Sequence, residues 1–231
     1  MLSKRVIPQL LCRGRQLIKG KQFASWRTVG VVAQAVRIFQ RRNVDELILL
    51  DIGATPEGRG PDLSLIEELA EVCFMPLTVG GGIKTVDDVR AVLRAGADKV
   101  AIGSGGPDLI RELSESFGSQ AIVGIANYRS IDSPFIISRV LEEHGAGEIL
   151  LQSIDREGMM TGYDLEAIKT VSQSVNIPVI VSGGCGSYED MRLAIEAGAD
   201  AVAAGAFFQF TDSTPGGAAK YLHAAGVEVR L

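Results

Sequence analysis

From Met75 to Ser104 the chain reads MPLTVGGGIKTVDDVRAVLRAGADKVAIGS, and from Ile177 to Ala206 it reads IPVIVSGGCGSYEDMRLAIEAGADAVAAGA. The two stretches align without a gap at an offset of 102 residues, and almost half of their positions are identical. Self-similarity at a fixed period marks a fold built by repetition. The same offset continues upstream, pairing Glu46 with Glu148, Asp62 with Asp164, Leu63 with Leu165 and Ile66 with Ile168. One half of the chain reads as a copy of the other.

Within the first copy, short apolar runs alternate with helical patterns: ELILLD, PDLSLIEELAEVC, MPLTV, TVDDVRAVLRAG and DKVAIGS. This alternation is the pattern of βαβ units. Right-handed units of this kind, doubled and closed, predict a (β/α)₈ TIM barrel of two half-barrels, with strands beginning near Arg5, Glu46, Pro76, Lys99, Ala121, Glu148, Pro178 and Ala201. Thr85 and Ser187 are placed to cap helices at their N-termini, and Gly96 and Gly198 to end them. An open doubly wound sheet is the alternative topology.

A length of 231 residues suits one such barrel, read as a single domain over 1–231, and the 46% apolar share supplies a sheet buried on both faces. The net charge of −5 gives no general attraction to nucleic acid or to an anionic membrane. Three cysteines, Cys12, Cys73 and Cys185, form no metal-ligand spacing and no disulfide framework. No cofactor or metal is expected. The N-terminal stretch MLSKRVIPQLL lacks the pattern of a secretory signal, so the expectation is a cytoplasmic protein.

Chemistry in such barrels sits at the carboxyl ends of the strands. There the glycine pairs Gly81-Gly82 and Gly183-Gly184, each followed one strand later by Gly103-Ser104 or Gly205-Ala206, offer unobstructed backbone N–H groups to an anion. Tight turns alone would also use glycine, but both copies keep the full set at the same offset. Two phosphate sites across one mouth would suit an elongated substrate with a phosphate at each end. The first loop, CRGRQLIKGKQF, adds Arg13, Arg15, Lys19 and Lys21 to an anion-attracting rim.

The runs RVIPQLL, LIKGKQF, VDELILLDI, PLTVGGGIK, AGADKV, FGSQAIV, GAGEILL, DREGMMTGYDLE and IPVIVSGG resemble the cyclase subunit of imidazole glycerol phosphate synthase over nearly the whole chain. The resemblance implies a barrel that takes ammonia from a glutaminase subunit docked at its lower end and closes a ring on a bis-phosphorylated substrate. It places the phosphate contacts on Gly81, Gly82, Gly103, Ser104, Gly183, Gly184, Gly205 and Ala206. It also implies a charged ammonia gate of Arg5, Glu46, Lys99 and Glu148, and it matches Asp98 to a residue facing the glutaminase, although an exposed loop acid is an equal reading of Asp98; if the barrel is a conduit, Thr78 is among the residues lining the path. A ring of charges with no traffic through it is the other reading of those four residues.

The resemblance breaks at the family's acid and base. Its two aspartates, the first in an I-P-C-L-D pattern, fall here on Leu11 and Asn127, and neither side chain exchanges a proton near neutrality. Lys19, Asp51 and Asp155 at the mouth, with Glu157 and Cys12 beside them, are the remaining groups that could act on a proton. The segment NYRSIDSPFIISRVLEEHGAGE is shorter than the family's, which carries a hairpin there. This pattern is similar to cyclase-like subunits of surface-polysaccharide pathways, which pass ammonia from a glutaminase to a separate amidinating enzyme. A working histidine-pathway cyclase and a barrel that only binds a phosphorylated metabolite are the alternatives.

Overall fold

In a computed structural model that describes residues 3–103 and 106–231, eight parallel strands close into a barrel. They are β1 (Arg5–Arg13), β4 (Leu47–Asp51), β5 (Leu77–Gly80), β6 (Lys99–Ile102), β7 (Ile122–Tyr128), β8 (Glu148–Ser153), β9 (Val179–Ser182) and β10 (Ala201–Ala204). Each pairs with its neighbour in that order, and β10 returns to β1 with Arg5 opposite Ala201 and Pro8 opposite Ala204. Closure excludes the open sheet. Every expected strand start lies within one residue of the observed one.

Helices follow the strands and cover the outside: α1 (Val32–Arg41), α2 (Leu63–Ala70), α3 (Val86–Arg94), α4 (Gly106–Phe117), α5 (Pro134–Glu143), α6 (Leu165–Ser172), α7 (Tyr188–Glu196), α8 (Ala206–Phe210) and α9 (Pro215–Ala224). Their boundaries have local causes. Thr85 Oγ1 accepts from the Asp88 N–H at 3.1 Å while Asp88 accepts from the Thr85 N–H at 2.9 Å, a reciprocal cap on α3. Ser187 caps α7 at 3.1 Å, and Asp62 and Asp164 cap α2 and α6 at 3.0 and 3.2 Å. Gly96 and Gly198 end α3 and α7 at φ +112° and +116°, and a Cβ on either would collide with Ala70 or Ser172.

Strand alternation splits the core in two. Val6, Leu10, Leu47, Leu49, Leu77 and Val79 point outward and pack beneath the helices. Ile7, Leu11, Ile48, Leu50, Val123, Leu150 and Ile180 point into the barrel. The interior is thus filled by side chains rather than left as an open pore. Among the described residues, no helix is long and apolar enough to cross a membrane.

Two features depart from the regular pattern. The expected first loop is a β-hairpin, β2 (Gln16–Lys21) and β3 (Ala24–Val31), which extends the antiparallel edge of β1 and folds over the mouth. Its two-residue turn places Gln22 and Phe23 at φ +53° and +57°. Such turns ordinarily carry Asn-Gly, and the absence of that signal hid the hairpin from the sequence. The second feature is the connection from β7 to α5, only five residues long, Arg129 to Ser133, and tied by the Asp132 N–H donating to the Arg129 carbonyl at 2.9 Å.

Candidate functional site

At the amino ends of the strands four side chains close a ring. Arg5 Nη1 lies 2.7 Å from Glu46 Oε2 and 3.1 Å from Glu148 Oε1, while Lys99 Nζ lies 3.2 Å from Glu46 Oε1 and 3.1 Å from Glu148 Oε2. Each charge therefore touches two of opposite sign. Glu46 is only 2% exposed, and its third partner is the buried Thr78 hydroxyl, which donates at 2.9 Å. A carboxylate held that deep is tolerated only with such compensation. Asp98, by contrast, is exposed and accepts from the Leu77 N–H at 2.8 Å, which fixes the start of β5.

At the carboxyl ends the mouth is unequal. Over β4 to β7 a cleft of about 300 Å³ is lined by Asp51, Thr55, Gly81, Gly82, Gly103, Asn127 and Gln152, with Phe23 of the hairpin along one side. Gly81 and Gly82 have φ +108° and +74°, and a Cβ on Gly81 would stand 2.1 Å from the Asp51 carbonyl oxygen. The Gly82 N–H donates to Thr55 Oγ1 at 3.3 Å. Ser104 lies outside the described residues.

Over β8 to β10 the corresponding space around Gly183, Gly184, Gly205 and Ala206 is about 10 Å³. The hairpin fills it. Lys19, 3% exposed, reaches in so far that a Cβ on Gly205 would lie 2.2 Å from Nζ. Its partner is Glu157 at 3.6 Å, also buried. Burial pulls the Lys19 pKa below its ordinary value, and the Glu157 carboxylate opposes that shift. The Gln22 N–H, donating to the Glu157 carbonyl at 2.9 Å, straps the turn in place.

The other rim cations expected to attract anions are largely neutralised by acids. Arg13 pairs with Glu57, and Arg15 pairs with Glu68 at 2.6 Å. Asp51 and Asp155 are also engaged. Asp51 accepts from the Gly53 and Ala54 N–H groups at 3.0 and 3.1 Å and from Arg59 at 3.2 Å. Asp155 accepts from the Ser130 N–H and from Arg129, both at 2.8 Å, and the backbone donor above all holds its carboxyl below the ordinary range. Cys12 is buried, and desolvation drives its thiol far above the ordinary value, so it is a packing group.

Comparison with known proteins follows the same outline. Residues 5–214 match the family described as histidine biosynthesis protein. The chain belongs to this family. Imidazole glycerol phosphate synthase subunit HisF of Dictyoglomus thermophilum is 42% identical over 252 aligned positions covering all of both chains. A Campylobacter jejuni protein provisionally named imidazole glycerol phosphate synthase subunit hisF2 is also 42% identical, over 248 positions and again all of both chains. The HisF subunit of Exiguobacterium sibiricum is 41% identical over 249 positions, with the same coverage.

As a member of the HisF-like family, this chain has an unusual mouth. Leu11 is fully buried among the inward-facing apolar residues, and Asn127, the last residue but one of β7, lies on the cleft wall. Neither position supplies a proton donor or acceptor of useful pKa. The sequence reading missed Gln9, Gln152 and Ser182, which are 2%, 1% and 5% exposed inside the barrel. Their signal was present: each is a polar residue at an inward position of an otherwise apolar strand. It also missed Arg59, whose guanidinium locks Asp51.

Proposed function

We propose that this HisF-like subunit receives ammonia from a glutamine amidotransferase subunit at the lower face and passes it through the barrel. The acceptor is a separate enzyme that amidinates a surface-polysaccharide sugar. The observation that carries this reading is a contrast: the ring of Arg5, Glu46, Lys99 and Glu148 has all its ion pairs, while the two acid and base positions are Leu11 and Asn127. A chain that keeps the lower ring and lacks the carboxylates is suited to transport rather than ring closure. A well-placed acid or base contributes on the order of 10²- to 10⁴-fold to a rate, so the absence of both leaves little cyclase activity.

The ring serves as the ammonia gate. With every charge doubly paired it blocks the floor, and passage needs one pair to part. Both cations bridge the two glutamates from one nitrogen, and Lys99 is the movable member, a single ammonium on a flexible stem, whereas the Arg5 guanidinium is a rigid planar fork. Phosphorylated ligands bind at Gly81, Gly82 and Gly103, which line the open cleft, with Ser104 the fourth member of the set by sequence. The equivalent set at Gly183, Gly184, Gly205 and Ala206 takes an anion only when Lys19 and Glu157 withdraw.

Lys99→Ala tests the gate. Glu46 and Glu148 then face each other across a wider floor, at a cost of roughly 1–3 kcal/mol, below a fully buried pair because Lys99 retains some exposure. With the glutaminase and acceptor enzyme present, glutamine consumption should exceed product formation; equal rates would refute the gate. Turnover of the bis-phosphorylated ribonucleotide with an ammonium salt at alkaline pH tests the second reading, a working histidine-pathway cyclase. That reading is favoured by the names and full-length similarity of the relatives. Turnover within about tenfold of an intact family cyclase would establish it, since two missing proton-transfer groups predict a far larger loss.

A further inference from the structure

Between the ion ring and the open mouth, the barrel interior holds uncharged polar side chains, and the nearest charged pair, Lys19 with Glu157 beside Gly205, is internally compensated. Asn127 on β7 is in register with Gln152 on β8, and Gln152 with Ser182 on β9. The Ser182 hydroxyl donates to Gln9 Oε1 on β1, across the small Ala203 side of β10. By strand register these four side chains form one row, buried at Gln9, Ser182 and Gln152 and exposed to the cleft at Asn127. Gln9 and Gln152 each lie four residues above a member of the ring, Arg5 and Glu148, so the row stands about 13 Å farther along tilted strands, roughly 11 Å over the floor. Ile7, Ile48, Leu150 and Ile180 fill part of the interior alongside them.

Two of the row's donors are unused. Gln9 Nε2 and Gln152 Nε2 are buried and have no hydrogen-bond acceptor among the described residues. Turning the Gln9 amide over exchanges which end meets Ser182 and still leaves one end without a partner. A buried amide in this state needs a guest that accepts a hydrogen bond. Gln152 and Asn127 open onto the cleft while Gln9 and Ser182 are buried, and the absence of any charged side chain in the row favours a neutral guest.

We propose that Gln9, Ser182, Gln152 and Asn127 form a neutral amide belt that binds ammonia inside the barrel. This rests on the conduit reading above and names a station along that path. Ammonia has one lone pair to accept from a glutamine N–H and three N–H groups for amide and hydroxyl oxygens. The chemistry also accounts for the missing carboxylates. Beside a free aspartate ammonia would be held as ammonium, which is not a nucleophile; amides have no proton to give and no charge to stabilise the cation. Asp51, which lines the cleft with Asn127 and Gln152, is already committed to Arg59 and two backbone N–H groups, and the Glu157 carboxylate is committed to Lys19.

The test uses the full chain, ¹⁵N-labelled at its side-chain amides, titrated with ammonium chloride at alkaline pH, where free ammonia is abundant, and at neutral pH, where it is scarce. The expected result is a saturable displacement of the Gln9 and Gln152 amide signals at alkaline pH only, with Asn127 following. Trimethylamine, which has no N–H as a free base, should leave them in place. Gln9→Leu should weaken the Gln152 response roughly fivefold, the size of one neutral hydrogen bond. No displacement, or equal displacement at both pH values, would overturn the belt and leave water as its guest. The titration needs no glutaminase, so its failure is distinguishable from failure of the gate: coupling lost in Lys99→Ala with silent amides would leave the conduit standing without this station.

Discussion

The mouth over β4 to β7 and the mouth over β8 to β10 begin from the same sequence pattern and end in different states. Each has a glycine pair with positive φ, an aspartate ending or just following a strand, and a later glycine. The first encloses about 300 Å³ and the second about 10 Å³. Nothing in the repeated segments causes this. The difference comes from the hairpin of β2 and β3, which occurs once and folds toward the second side, carrying Lys19 onto Gly205. A repeat specifies local backbone, and an unrepeated neighbour decides whether that backbone reaches solvent.

If the two sides share their backbone logic, the glycines should break alike. A Cβ on Gly81 would lie 2.1 Å from the Asp51 carbonyl oxygen at φ +108°, and one on its repeat counterpart Gly183 would lie 2.5 Å from that of Ser153 at φ +92°. Gly81→Ala and Gly183→Ala are each expected to cost about 3–5 kcal/mol in denaturant unfolding, from backbone strain and overpacking together. A cheap substitution on one side only would show that the two loops are not equivalent.

Lys19 and Glu157 are where the sides diverge. Because burial lowers the Lys19 pKa, the folded state binds fewer protons than the unfolded chain between that lowered value and the ordinary lysine value near 10.5. Stability from this group therefore rises with pH across that window and is lost as pH falls through it. The slope should vanish in Lys19→Met. Replacing the pair together, with Lys19→Met and Glu157→Leu, should be neutral or stabilise by up to about 2 kcal/mol, since a packed apolar pair avoids desolvation. A large loss would mean that the hairpin is held by charge rather than by packing.

Smaller contrasts sharpen the picture. Asp51→Asn should cost about 1–2 kcal/mol, because it weakens acceptors used by Arg59 and two backbone N–H groups. Asp155→Asn should cost less, and the difference should narrow in acid: the Asp155 carboxyl is held below the ordinary range, so its contribution is present above that range and fades as pH falls through its folded value. Smallest are the caps. Thr85→Ala and Ser187→Ala should each lower stability by about 1 kcal/mol, with Thr85 the costlier because Asp88 completes its reciprocal bond.

How far the sequence reached differs between layers of the molecule. Strand starts, helix caps and the terminating glycines were all legible, because each is set by period, by local hydrogen bonding or by a φ angle that only a few residues tolerate. Arg5, Glu46, Lys99 and Glu148 were legible as a group through family resemblance. Gln9, Gln152 and Ser182 were passed over individually, although each interrupts an apolar inward row, because their meaning lies in one another.

By itself, then, the chain's order of residues determined the barrel, its strand starts and the position of both glycine sets. The tertiary structure alone decided which set is open, which cations are already paired and which amides stand unpartnered. Local signals act over a few residues and survive in any context, whereas Lys19 meets Gly205 and Gln9 meets Ser182 only after strands distant in sequence are brought together by closing the sheet. The free energy of those meetings depends on burial, which no single segment carries.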